Sequence, residues 1–186
     1  MGEPIDAIET RLGLIHAALK KTTLVKFEHG KEEIGGGGYR MRFPFDEQPT
    51  AAELVVNVYA VIGALANLKD LLKTSAKEHG REPQRVEDFV KTRTDLQLVL
   101  DLNNAHKHAY PPTRRHSGRD PKFSWIRAAT ETRSDGVGSI RTDIVIIGEV
   151  VDGHDAFICR MDHLFEGAIG AWEELLKEFG VSVPAP

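Results

Sequence analysis

The densest run of side chains able to do chemistry is Asp101-Leu-Asn-Asn104-Ala-His-Lys-His108. On a helix, at about 100° per residue, Asp101, Asn104 and His108 fall within about 60° of one another. A carboxylate beside an imidazole fixes the ring's tautomer and raises its basicity, as a general base requires. Asn104 would then position a substrate. Asn67 and Asp70 continue a stripe of small residues (Ala60, Gly63, Ala64) on an earlier helix, and are candidates to face this cluster. The competing reading is structural, because aligned polar residues near a helix end also make hydrogen-bond networks and capping clusters. One observation divides the two. A site sets Asp101 and His108 in an open pocket, whereas a network buries them with every polar atom satisfied.

Overlapping this run is HKHAYPPTRRHSGRDPK, residues 106–122. Lys107, Arg114, Arg115, Arg119 and Lys122 stand there against one acid, Asp120, a local +4 in a chain of formal net charge −4. Tyr110 and three histidines lie among them. Arginine forks hold phosphate, and an aromatic among cations suits a nucleotide or a single strand. Contact with RNA or a nucleotide is therefore expected through 106–122, with Asn67, Asp70, Lys107, Arg114, Arg115 and Arg119 as candidate ligand-binding residues. The plainer alternative is a solvated loop whose cations pair with the acidic remainder.

Other chemistries lose support. His106 and His108 resemble a metal pair, but residues two apart on a helix point roughly 160° away from each other. Gly35-Gly36-Gly37-Gly38 lacks the lysine and hydroxyl frame of a phosphate loop and precedes no obvious helix. No nucleophile elbow, zinc-protease motif or dinucleotide fingerprint is present. Neither a metal nor a cofactor is expected. The lone cysteine, Cys159, cannot form an intramolecular disulfide, which fits a reducing compartment.

The elements that must position these residues read as four helices and a small β-meander in one domain spanning 1–186. The first helix covers about 4–20, with Ile5, Ile8, Leu12, Ile15 and Leu19 at helical spacing. Acidic residues interrupt that stretch, so it does not read as a signal peptide. The second, about 50–79, opens on the capping box Thr50-Ala-Ala-Glu53 and closes at Gly80. Its apolar stretch from Leu54 to Leu72 contains Asn57, Asn67, Lys69 and Asp70, and so predicts a buried helix instead of a membrane span. The third, about 83–109, is apolar nearly all round and stops before Pro111-Pro112, which places it at the centre. The period then falls to two over about 123–160, with Asp152-Gly153 expected as a type I′ hairpin turn. Trp125, Phe157 and Trp172 read as core. The last helix, about 162–179, starts with Asp162 as N-cap and carries one stripe: Phe165, Ala168, Ile169, Trp172, Leu175, Leu176 and Phe179. That stripe, with the common preference for two-fold assemblies, makes a homodimer the expected state. The fold expected is mainly α, a four-helix bundle with a three-stranded antiparallel meander inserted before the last helix. A cytoplasmic location without membrane contact is expected.

With the third helix in view, the chain resembles the HEPN-like helical proteins of prokaryotic defence and toxin systems. The likeness lies in a bundle whose late helix ends in a polar cluster with a terminal histidine, here Asp101, Asn104, Lys107 and His108, and it covers the second and third helices. Active members of that family are ribonucleases that set an Arg a few residues ahead of the His. Here Asp101, Leu102 and Asn103 occupy those positions, so the Arg is missing; Arg11 and His16 have the spacing, but on the first amphipathic helix. Two functional readings follow. In the first, the protein is a non-enzymatic binding or regulatory module whose basic segment contacts nucleic acid or nucleotide. This is the one adopted, because no catalytic constellation is complete. The alternative is a HEPN-like hydrolase of RNA or a nucleotide, with His108 as base or acid, Asp101 its orienter, Asn104 a positioning group, and Arg114 and Arg115 a phosphate clamp.

Overall fold

The computed structural model of the chain describes residues 25–26, 50–78, 80–108, 115–134, 140–153 and 155–180. The expected helix over 4–20, the tetraglycine, Tyr110 and Arg114 lie outside these residues. Helices dominate the described part, and its strands form one antiparallel sheet.

The first described helix, α1, runs over Ala51–Glu78. Its capping box forms as read: the Thr50 N–H donates to Glu53 Oε2 at 2.7 Å, and the Glu53 N–H donates to Thr50 Oγ1 at 3.3 Å. The first of these bonds holds the Glu53 carboxyl below its ordinary range. Gly80, at φ +68, closes the helix: its N–H donates to Lys77 O at 3.2 Å, and the Arg81 N–H donates to Ala76 O at 2.7 Å. Two of the helix's terminal carbonyls are thereby satisfied, by a turn that a glycine makes without steric cost.

The helix expected over 83–109 is instead two, α2 (Gln84–Lys91) and α3 (Thr94–Lys107). The chain breaks at Thr92, whose hydroxyl donates to Phe89 O at 2.7 Å, and at Arg93, which turns extended. The break would orphan carbonyls at the end of α2, and the Gln97 amide donates to two of them, Val90 O at 3.0 Å and Lys91 O at 2.7 Å. Apolar spacing runs through the break because both helices bury a face: Val86, Phe89 and Val90, then Leu96, Leu98, Val99, Leu100 and Leu102.

Four strands follow the pattern β1 (Val25–Lys26), β2 (Lys122–Ser134), β3 (Ile140–Val151) and β4 (Phe157–Arg160). β2 lies along one edge of β3, from Lys122 opposite Val151 to Ser134 opposite Ile140. On the other edge of β3 lie β4, against Glu149 to Val151, and β1, against Asp143 and Ile144. β1 was not foreseen. The 152–156 connection is also longer than the two-residue type I′ turn expected at Asp152-Gly153. Its positive φ, 62°, falls on Asp155, and the Asp152 N–H donates to Ala156 O at 2.8 Å. The Asp152 carboxylate takes the Gly153 N–H at 2.7 Å, which locks the loop locally.

The last helix, α4, covers Met161–Glu178. Asp162 is not its N-cap. Arg160 holds that position, and Asp162 sits in the first turn, accepting from Arg160 Nε at 3.0 Å and Nη2 at 2.6 Å. Of the stripe expected on α4, Phe165, Ala168, Trp172, Leu175 and Leu176 are buried, and Ile169 and Phe179 are half-buried against the same core. Trp172 Nε1 donates to Leu65 O at 3.1 Å and ties α4 to α1. By length and composition α1 could cross a membrane, but Val58, Val61, Ile62, Leu65, Leu68 and Leu72 have no exposure, which makes it a core helix of this fold. The sheet adds Ile146 and Val150 to the same core.

Candidate functional site

Asp101 lies on α3 at 2% exposure. Its Oδ1 accepts the His116 N–H at 2.8 Å, and its Oδ2 accepts the Ser117 N–H at 2.8 Å and the Ser117 hydroxyl at 2.6 Å. Ser117 Oγ in turn accepts the Arg119 N–H at 3.2 Å. The carboxylate therefore acts as a bracket for the loop entering β2, with three donors aimed at its two oxygens.

His108 does not complete the projected face. α3 ends at Lys107, and His108 leaves it at φ −115 and ψ 126, exposed, donating its N–H to Asn104 O at 3.0 Å. The sequence sets a limit close by, since a proline at 111 in helical conformation would collide with the carbonyl of residue 107. Asn104 is half-buried, whereas its neighbour Asn103 is buried at 7% exposure and faces α1. A Cβ on Gly63 would lie 3.7 Å from Asn103 Oδ1, so the small-residue stripe does admit a close helix, through a residue the sequence reading passed over.

Asn67 and Asp70 are not brought to this end. Gly63 meets Asn103 and Tyr59 meets His106, so α1 and α3 run antiparallel here. Each step beyond Gly63 moves about 1.5 Å further from His108, which puts Asn67 about 6 Å and Asp70 about 10 Å along the wrong way. Asp70 is exposed, and Asn67 is half-buried.

The basic segment is more balanced in space than in sequence. Arg115 pairs with Asp120 at 2.7 Å and Lys122 with Asp155 at 2.9 Å. Asp152 accepts the Asp120 N–H at 2.9 Å, and a Cβ on Gly153 would stand 2.8 Å from Asp120 Oδ2, so only a glycine lets that carboxylate so close. Lys107 and Arg119 are exposed and take part in none of the ion pairs among the described residues.

A feature missed in the sequence lies beside them. The His106 imidazole stacks on the Tyr59 ring with centroids 3.9 Å apart and planes 12° from parallel. Phe123 meets Tyr59 edge-on at 5.7 Å and 83°. Burial pushes the Tyr59 phenol up. No spacing rule links positions 59, 106 and 123; only the antiparallel α1–α3 pairing and β2 bring them together.

Of the aromatic residues read as core, only Trp172 is fully inside. Trp125 is half-buried, donates from Nε1 to Glu149 Oε2 at 2.9 Å and carries the Arg127 guanidinium 4.7 Å from its ring centre. Phe157, on the short edge strand β4, is 62% exposed. Cys159 is a half-buried free thiol whose pKa is pushed up by burial and then by the nearby charge of Asp95. Among the described residues no group of three or more His, Cys, Asp or Glu side chains is placed to hold a metal.

No protein-family model, curated protein or solved structure matches the chain.

Proposed function

We propose that the protein is a non-enzymatic binding or regulatory module of the cytoplasm, which contacts RNA or a nucleotide through the end of α3 and the loop that follows. In this picture the helices form a bundle, and the meander before the last helix braces the loop. The observation that carries the reading is the state of Asp101. A carboxylate already taken up by three donors from residues 116 and 117 is a scaffold for a loop, not an orienter for a histidine. His108, the proposed acid or base of a HEPN-like hydrolase, stands outside the helix and exposed. Among the described residues, phosphate contact then falls to Lys107 and Arg119, exposed on either side of that bracket. Self-association belongs to the same proposal, and the α4 residues buried within the chain leave Ile169 and Phe179 as the part of that stripe open to it.

The test is a titration against labelled single-stranded RNA at two salt concentrations, with a gel run alongside for cleavage. Two phosphate contacts give a log–log salt slope of about −1.4, or roughly sevenfold weaker binding between 50 and 200 mM salt. Five contacts, as the bare sequence suggests, would give about −3.5 and a loss of over a hundredfold. Absence of binding at low salt removes nucleic acid from the reading. Cleavage that disappears in folded His108→Ala would restore the hydrolase.

A further inference from the structure

We infer that the solvent-facing side of the His106 imidazole is a stacking site for one nucleobase, with the exposed Lys107 beside it in the chain supplying the cation for that nucleotide's phosphate. The inference rests on the binding reading above and names its ligand chemistry, a flat heteroaromatic base with an attached phosphate.

The stack has three layers of support. Phe123, half-buried on β2, holds Tyr59 edge-on at 5.7 Å, a favoured aromatic geometry. Tyr59, half-buried on α1, offers its face to His106 at 3.9 Å and 12°. His106 belongs to the last turn of α3 and is exposed as a residue, with one face of its ring against Tyr59. An exposed histidine ordinarily samples several rotamers, and a ligand that ordered it would lose affinity to that ordering. Here the stack on Tyr59 restricts the ring before a ligand arrives. Near-parallel contact is also how bases stack on protein rings, and every base has such a face. Among the described residues, Lys107 is in no ion pair that would compete for a phosphate. The imidazole is thus the end of a column of rings that a base can lengthen by one.

The experiment uses the full chain and two probes read by fluorescence quenching: a short single-stranded RNA carrying 2-aminopurine, and the free 2-aminopurine nucleotide. Wild type is expected to quench at least one probe. His106→Ala should abolish the quench and weaken binding about 5- to 150-fold, the usual worth of one stacked base. His106→Phe, which keeps a flat ring and removes the nitrogens, should bind within about twofold of wild type, and a urea midpoint for His106→Ala close to that of wild type shows that its loss of binding is not loss of fold. Lys107→Ala should keep the quench and lower the salt slope by about 0.7. A quench confined to the free nucleotide assigns the site to a mononucleotide, and one confined to RNA assigns it to a strand; both uphold the stack. If RNA binds with the expected salt slope but His106→Ala binds and quenches like wild type, the stacking site is overturned while the phosphate reading stands. If neither probe binds at low salt, both fall together.

Discussion

Replacing Asp101 by Asn changes one atom and asks whether this carboxylate holds the protein together. The side chain is buried and accepts three hydrogen bonds, one at Oδ1 and two at Oδ2. An amide keeps a single acceptor oxygen. Set on His116, it turns an NH2 group toward the Ser117 N–H, so two donors face each other in a buried site. Charge-assisted bonds are worth about 1.5–3 kcal/mol each, and an unpaired buried donor costs about 1–3 kcal/mol. The retained bond and the rotatable Ser117 hydroxyl recover part of this, leaving an expected loss of about 2–4 kcal/mol. With a urea slope of about 2 kcal/mol per molar, the midpoint should fall by about 1–2 M, followed by tryptophan fluorescence. Ser117→Ala should cost about 1 kcal/mol alone and less in the Asp101→Asn background, because the bond it removes is already impaired. His108→Ala, at an exposed position, should stay within about 0.5 kcal/mol of wild type. If Asp101→Asn unfolds at the wild-type midpoint, the carboxylate is not the bracket described, and Asp101 returns to the list of candidate site residues.

Glu87 on α2 accepts from Lys73 on α1 at 2.6 Å and pairs with Lys69 at 3.4 Å; chiefly that Lys73 bond holds its carboxyl below the usual range. A depressed folded-state pKa gives stability that is present above the unfolded-state value and lost as pH falls through the folded one. Acid titration of stability should therefore show a loss of about 0.5–1 kcal/mol that Glu87→Gln removes and salt weakens; an unchanged acid limb in that variant would show the pair contributes nothing. Cys159, its thiol raised by burial, should react slowly with thiol reagents at neutral pH in the folded protein, faster as pH rises, and at once in denaturant. Equal rates in folded and unfolded protein at neutral pH would contradict its burial.

Local rules carried the sequence reading where the partners are close in the chain. Thr50 and Glu53 find each other three residues apart, Gly80 ends α1 as expected, and the alternating stretches became β2 and β3. Periodicity failed at Thr92-Arg93, since a broken helix that buries the same side on both halves keeps the spacing of an intact one. β1, two residues long, exists only through its pairing with β3 and has too little sequence to announce itself. In the polar segment the residue types were legible, but their partners were not. The helical pattern points Asp101 toward a neighbour on its own helix, whereas its donors lie 15 and 16 residues on, at His116 and Ser117. The charge of 106–122 looked unbalanced because Asp155, which answers Lys122, arrives from a distant hairpin. Local spacing offers His106 only His108 as a partner, while its contact, Tyr59, comes from another helix.

The loop entering β2 is fastened to both halves of the molecule: to α3 through Asp101, and to the β3–β4 turn through the bond from the Asp120 N–H to Asp152. A surface loop held at one end opens by local fluctuation and exchanges its amide hydrogens quickly. Releasing the amides at 116 and 117 would leave a buried carboxylate without those donors, and releasing the amide at 120 would free the loop from the β3–β4 turn. Its opening therefore costs more than that of a loop whose amides face only water. The amides of 116, 117 and 120, in residues that are exposed or half-buried, are expected to exchange more slowly than those of an ordinary surface loop, and a molecule held at this loop would deepen that protection.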